Sequence, residues 1–181
     1  MDSFIYELKI PKERIAVLIG KKGETKKEIE QSTNIKINID SNEGDINIEG
    51  TDAINLYTVK EVIEAIGRGF NPDIAKLLLK PDYCFEIVDL KEYVGKSKNS
   101  LIRVKGRVIG KEGKSRRRIE ELSGAYVCVY GKTIGIIGLP EEVSMARQAI
   151  EKLLKGSPHS SVYKFLEKKK KSLKIGRLTN I

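Results

Sequence analysis

Ile19-Gly20-Lys21-Lys22-Gly23 and Ile109-Gly110-Lys111-Glu112-Gly113 are one pattern written twice, 90 residues apart. At the same offset Thr25 falls on Ser115, Lys26 on Arg116, Lys27 on Arg117, Ile29 on Ile119 and Glu30 on Glu120. A repeat of this length decides the fold, because it makes the chain two copies of one unit. An alternating segment follows each copy, Ile35-Lys36-Ile37-Asn38-Ile39 in the first and Ala125-Tyr126-Val127-Cys128-Val129 in the second. Period-two alternation reads as a half-buried strand. A second strand comes next, Ile46 to Gly50 and Ile134 to Gly138, now at an offset of 88. The slip falls in the intervening turn, where length changes are tolerated.

Each copy closes on an amphipathic helix. In the first, Ala53, Leu56, Val59, Val62, Ile63 and Ile66 recur at three- and four-residue steps, with Thr51 or Asp52 as N-cap. In the second, Val143, Ala146, Ile150, Leu153 and Leu154 repeat the pattern behind Pro140, a good helix opener. Upstream of the glycines, Phe4 to Ile10 and Tyr83 to Leu90 read as strands, and Arg14 to Ile19 and Ile102 to Ile109 as short packed helices. The order is β-α-GxxG-α-β-β-α, twice, an α+β arrangement of a three-stranded sheet covered by three helices. The expected organisation is a first unit at 1–70, a linker at 71–82 with a short helix around Ile74, Ala75, Leu77 and Leu78, a second unit at 83–157 and a basic tail at 158–181. Lys168 to Lys171 make that tail a basic helix or a loose, solvated arm, with His159 exposed at its start.

The spacing of the glycines suits a phosphodiester. Two residues without Cβ at a tight bend let the chain take positive φ and let a phosphate approach the backbone. The helix that opens there offers its unpaired N–H groups and the positive end of its dipole to an anion. Beside it, an apolar trough would hold unpaired bases, with Ile19, Ile29, Ile37 and Ile39 as its walls in the first copy and Ile109, Ile119, Val127 and Val129 in the second. Aromatic residues are only 6% of the chain, so base stacking is not the main source of affinity.

Charge ranks the two copies. Residues 1–80 hold 12 basic and 14 acidic side chains, and residues 81–181 hold 22 and 11. A polyanion therefore meets the second half. There Lys111, Lys114, Arg116, Arg117 and Arg118 crowd the bend, whereas in the first copy Glu24 and Glu28 offset Lys21, Lys22, Lys26 and Lys27. The expected RNA-binding residues are Arg107, Ile109, Gly110, Lys111, Glu112, Gly113, Lys114, Ser115, Arg116, Arg117, Arg118 and Val127, together with Gly20, Lys21, Lys22, Gly23, Lys26 and Lys27. The second unit is expected to contribute more of the affinity.

Other chemistries find little support. Nuclease chemistry needs clustered carboxylates, and here Asp and Glu are scattered beside Lys or Arg. No glycine-rich nucleotide loop sits in a βαβ setting. Cys84 and Cys128 lack zinc-ligand spacing and read as buried thiols. With one histidine, a His-based triad is excluded within the chain. No metal, cofactor or catalytic residue is expected, and the chain does not read as an enzyme. Without a membrane span or signal peptide, the expected location is cytoplasmic.

The I-G-x-x-G signature between the first two helices resembles the KH family in its type I, βααββα form, from about Phe4 to Leu154. Such modules clamp four nucleotides of single-stranded RNA along the GxxG groove. The second copy, Arg107-Val-Ile-Gly-Lys-Glu-Gly-Lys-Ser-Arg-Arg-Arg-Ile-Glu120, is similar to the archaeal and eukaryotic partner-of-Nob (Pno, Krr-like) small-subunit rRNA assembly factors. That resemblance implies binding near the 3′ end of 16S-type rRNA and assistance to pre-rRNA processing. It also implies a Nob-type endonuclease and the α subunit of translation initiation factor 2 as partners. Two other readings fit the same residues: a general messenger-RNA regulator, and a KH-fold scaffold for protein interactions.

Overall fold

The computed structural model describes residues 3–179, with side chains through residue 175. The first and last two residues, including the end of the basic tail, lie outside the described part. Two compact units divide between Tyr83 and Cys84.

The first unit runs β1 (Phe4–Lys9), α1 (Lys12–Ile19), a 3-10 turn (Lys21–Gly23), α2 (Glu24–Thr33), β2 (Lys36–Ile39), β3 (Asp45–Gly50) and α3 (Ala53–Gly67). Its antiparallel sheet has the order β1-β3-β2, so β2 is an edge strand. Ile37 lies opposite Ile48 across the ladder, and both are fully buried with Val59, Val62, Ile63 and Ile66 of α3. Asp52 caps α3, its carboxylate accepting from the N–H groups of Ile54 and Asn55. Beyond α3 the chain makes α4 (Pro72–Ala75) and a 3-10 turn (Lys76–Leu79), which pack on α3 through buried Ala75 and Leu78.

The second unit repeats the plan: β4 (Cys84–Asp89), α5 (Lys91–Val94), α6 (Lys98–Ile109), a 3-10 turn (Lys111–Gly113), α7 (Lys114–Ser123), β5 (Tyr126–Tyr130), β6 (Thr133–Gly138) and α8 (Pro140–Leu154). The sheet order β4-β6-β5 again leaves the strand after the GxxG helix at the edge. Ile134 and Ile136 of β6 meet Val143, Ala146, Ile150 and Leu153 of α8 in one core. Across the sheet, Arg147 of α8 bridges Glu86 of β4 at 2.7 Å and Glu151 at 2.9 Å, which pushes its pKa further up.

Of the two alternatives for the chain after Pro158, the helix forms: α9 (His159–Thr179), which packs on α7 and α8. Val162 and Leu166, one helical turn apart, are fully buried, and burial of that size is worth roughly 1.5–3 kcal/mol per side chain. His159 is half-buried rather than exposed, its Nε2 lying 2.8 Å from the Arg107 carbonyl oxygen. Cys84 and Cys128 are half-buried rather than buried thiols, Cys84 packing against the core of the second unit. Cys128 alternates with the buried Val127, so it faces the other side of the sheet.

Candidate nucleic-acid interface

The two glycine bends have the same backbone. Gly20 and Gly110 take φ +75° and +72°, and Gly23 and Gly113 take +79° and +72°. Between them Lys22 and Glu112 sit at φ +54°, a left-handed conformation that costs a non-glycine residue about 1 kcal/mol or more. The glycines do two different jobs. A Cβ on Gly110 would lie 2.7 Å from the backbone nitrogen of Ser115, and one on Gly20 2.8 Å from that of Thr25. These first glycines let the bend close against the helix that follows. A Cβ on Gly113 would meet nothing within 4 Å. The second glycine therefore faces open space at the mouth of α7, where an anion would approach.

Among the basic side chains around the second bend, Lys111 and Lys114 are exposed, and Lys114 makes only a loose, solvent-exposed pair with Glu112 at 3.8 Å. Such a pair contributes little and yields readily to a phosphate. Arg117 donates to the Glu112 carbonyl oxygen at 2.8 Å, closing the bend from the helix side. Arg118 pairs with Glu121 at 3.4 Å and with Glu167 at 2.9 Å.

α7 and the edge strand β5 are stitched together at Val127. Its N–H donates to Glu120 Oε1 at 2.8 Å, and its carbonyl accepts from Arg116 Nη1 at 3.3 Å. The first unit has the matching bond from the Ile37 N–H to Glu30 Oε1, also at 2.8 Å. Because strand groups alternate, the N–H and C=O of Val129 point to the same outer edge, and those of Ile39 do so in the first unit. Bend, helix mouth and strand edge thus border one groove in each unit.

The groove walls are fewer than expected. Ile29, Ile37, Ile119 and Val127 are at most 2% exposed and belong to the core, so their side chains cannot touch a base. Alternation places Ile37 and Val127 on the inner face of their sheets, which packs against helices, and Ile29 and Ile119 lie on the buried faces of α2 and α7. Ile19, Ile39, Ile109 and Val129 are half-buried and remain available. Ser115 is buried under the bend, its hydroxyl without a hydrogen-bond partner among the described residues.

Residues 84–171 match the family described as Eukaryotic type KH-domain (KH-domain type I), and residues 5–65 match the KH domain family. A KH domain-containing protein of Methanocaldococcus jannaschii, MJ0443, is 48% identical over 180 residues, 97% of this chain and 78% of that one. The chain is also similar to a crystal structure of an a/eIF2alpha-aDim2p-rRNA complex from Pyrococcus horikoshii. The TM-score is 0.87 with 49% identity, covering 94% of this chain and 96% of that one. The chain belongs to the Dim2p/PNO1 family of tandem KH proteins. The pre-rRNA-processing protein pno1 of Aspergillus fumigatus is 34% identical over 122 residues, and this chain spans 48% of its length.

In this Dim2p/PNO1 chain Arg107 does not reach the groove. Its guanidinium donates to the carbonyl oxygens of Leu153 at 3.1 Å and Ser157 at 2.6 Å, tying α6 to the end of α8. Arg14 does the same in the first unit, donating to Ile66 at 2.8 Å and Phe70 at 2.7 Å. The acceptors match between the units, but the arginines stand about one helical turn apart relative to their glycine bends, so aligning the repeats hides the device. Glu30 and Glu120, identical in both copies, were the visible signal for the strand anchor. Arg107→Ala is expected to destabilise the second unit by about 2–3 kcal/mol, since it removes charged donors from helix-end carbonyls. Urea unfolding would measure this, and RNA affinity under folding conditions should stay within about twofold.

Proposed function

We propose that this chain binds single-stranded RNA near the 3′ end of small-subunit rRNA and assists pre-rRNA processing without catalysing it. The observation that carries the reading is the bend built twice with its first glycine packed against the following helix and, in the second unit, its second glycine facing open space at the mouth of α7. The relatives support it: one carries pre-rRNA processing in its name, and another was crystallised in a complex with a/eIF2alpha and rRNA. In the second unit Lys111, Lys114, Arg116 and Arg117 meet phosphates, the bend seats the backbone, and Val129 offers its edge to bases. Lys21, Lys22, Lys26 and Lys27 do this more weakly in the first unit. There Lys26 lies 3.8 Å from Glu30, and Lys76 pairs with Glu28, which raises the lysine's pKa. A Nob-type endonuclease performs the cleavage, the translation initiation factor 2 α subunit is a further partner, and the work is cytoplasmic.

Two measurements test this. Sequencing of RNA crosslinked to the protein in native cells should show one dominant peak at the small-subunit rRNA 3′ region; signal spread across messenger RNA would replace the assembly role with a regulatory one. For a short RNA filling the second groove, four phosphate contacts give a slope of log K against log salt of about −3. A flat response would remove the electrostatic seat from the account.

A further inference from the structure

α7 has two edges with different neighbours. Its Arg116 and Glu120 edge meets β5 and borders the groove. Its Arg118 and Glu121 edge meets α9: Arg118 pairs with Glu167 at 2.9 Å, and Lys170 Nζ donates to the Glu121 carbonyl oxygen at 2.9 Å. Between these edges Lys114 and Arg117 are exposed. α9 therefore lies against the RNA-facing helix on the side away from the groove, and it runs in the same direction, since His159 sits at the end of α6 and Lys170 near the end of α7.

The exposed face of α9 carries one sign of charge. Lys164, Lys168, Lys171 and Lys174 recur at four- and three-residue steps and are all exposed, opposite the face that buries Val162 and Leu166. Glu167 is the one acidic residue between positions 159 and 175, and Arg118 already holds it. No acidic side chain of the helix is left to neutralise the four lysines. From Lys164 to Lys174 they span about 15 Å at the helical rise. The first unit has no such helix, because α3 is followed by α4 and the 3-10 turn.

We infer that α9 is a second phosphate-binding surface, which engages RNA flanking the nucleotides seated in the groove of the second unit. The chemistry is sequence-independent: four ammonium groups along a rigid helix displace counterions from the backbone of a strand that has left the groove and crossed Lys114 and Arg117. It lengthens the footprint beyond the four nucleotides that one such groove holds. The inference rests on the reading of the second unit as an RNA binder.

The test uses the full-length chain with Lys164, Lys168, Lys171 and Lys174 all changed to Gln, alongside a version with all four changed to Arg. Both leave Val162 and Leu166 in place, and an unchanged melting temperature checks that α9 stays docked. Fluorescence anisotropy compares an RNA of about six nucleotides, enough to fill one groove, with one of about 20 nucleotides that continues past it. The Gln variant should bind the short RNA as the parent does and the long RNA at least about tenfold more weakly. Its salt slope on the long RNA should be shallower by about 3, from four lost phosphate contacts, and the Arg variant should restore binding. Equal affinity of parent and Gln variant for the long RNA would overturn the inference and leave the lysines to solvent or an acidic protein surface. An equal loss on both RNAs would also overturn it, since the effect would then lie in the general field. If the parent bound neither RNA, the proposed function itself would have failed.

Discussion

Gly113→Asp is expected to lower RNA affinity by at least about 100-fold while the protein stays folded. A side chain there enters open space, so the cost to the fold is that of an L residue at positive φ, roughly 1–2 kcal/mol. The cost to binding is larger, because a carboxylate would stand where the phosphate approaches the mouth of α7. Like charges brought together at an interface cost several kcal/mol, and about 2.7 kcal/mol already corresponds to 100-fold. Gly113→Asn has nearly the same shape without the charge and also tolerates the left-handed conformation, so it should keep most of the affinity. Anisotropy titrations of both variants decide the matter. An Asp variant that binds like the parent would show that the bend does not seat RNA.

Gly110→Ala should do the opposite, damaging the fold first. The added Cβ would sit 2.7 Å from the Ser115 nitrogen at φ +72°, so the bend between α6 and α7 must open. The backbone contact cannot rotate away as a side chain would. A loss above about 3 kcal/mol is expected, beyond the 1–2 kcal/mol set by φ alone, and it should appear as a lower urea midpoint. Gly113→Ala, at nearly the same φ but without the contact, should cost only the smaller amount. Equal losses at the two positions would contradict the division of labour between the glycines. The comparison also bears on interpretation, since a glycine-to-aspartate change at Gly110 would confuse lost binding with lost structure.

We propose the first unit as the weaker binder despite an equivalent bend. Gly20 and Gly23 match their counterparts in backbone angles, and the Glu30 anchor matches Glu120. What differs is charge: α2 carries Glu24, Glu28 and Glu30 against Lys26 and Lys27, and α7 carries Glu120 and Glu121 against Lys114, Arg116, Arg117 and Arg118. The scaffold is shared, and the proposed difference in affinity lies in the side chains around it.

The amino-acid order by itself determined the repeat, the βααββα succession and the place of both glycine bends, and it narrowed the cap of α3 to Thr51 or Asp52. All of these are local signals, carried by residues a few positions apart and fixed by the periods of strand and helix. Tertiary structure alone decided which apolar residues of the groove stay reachable, since Ile37 and Val127 alternate just as Ile39 and Val129 do and differ only in what packs over them. It also decided that Arg107 serves carbonyls 46 and 50 residues away and that Lys170 reaches α7 across 49. Contacts of that range depend on where the chain returns in space, and hydrophobic periodicity contains no term for that.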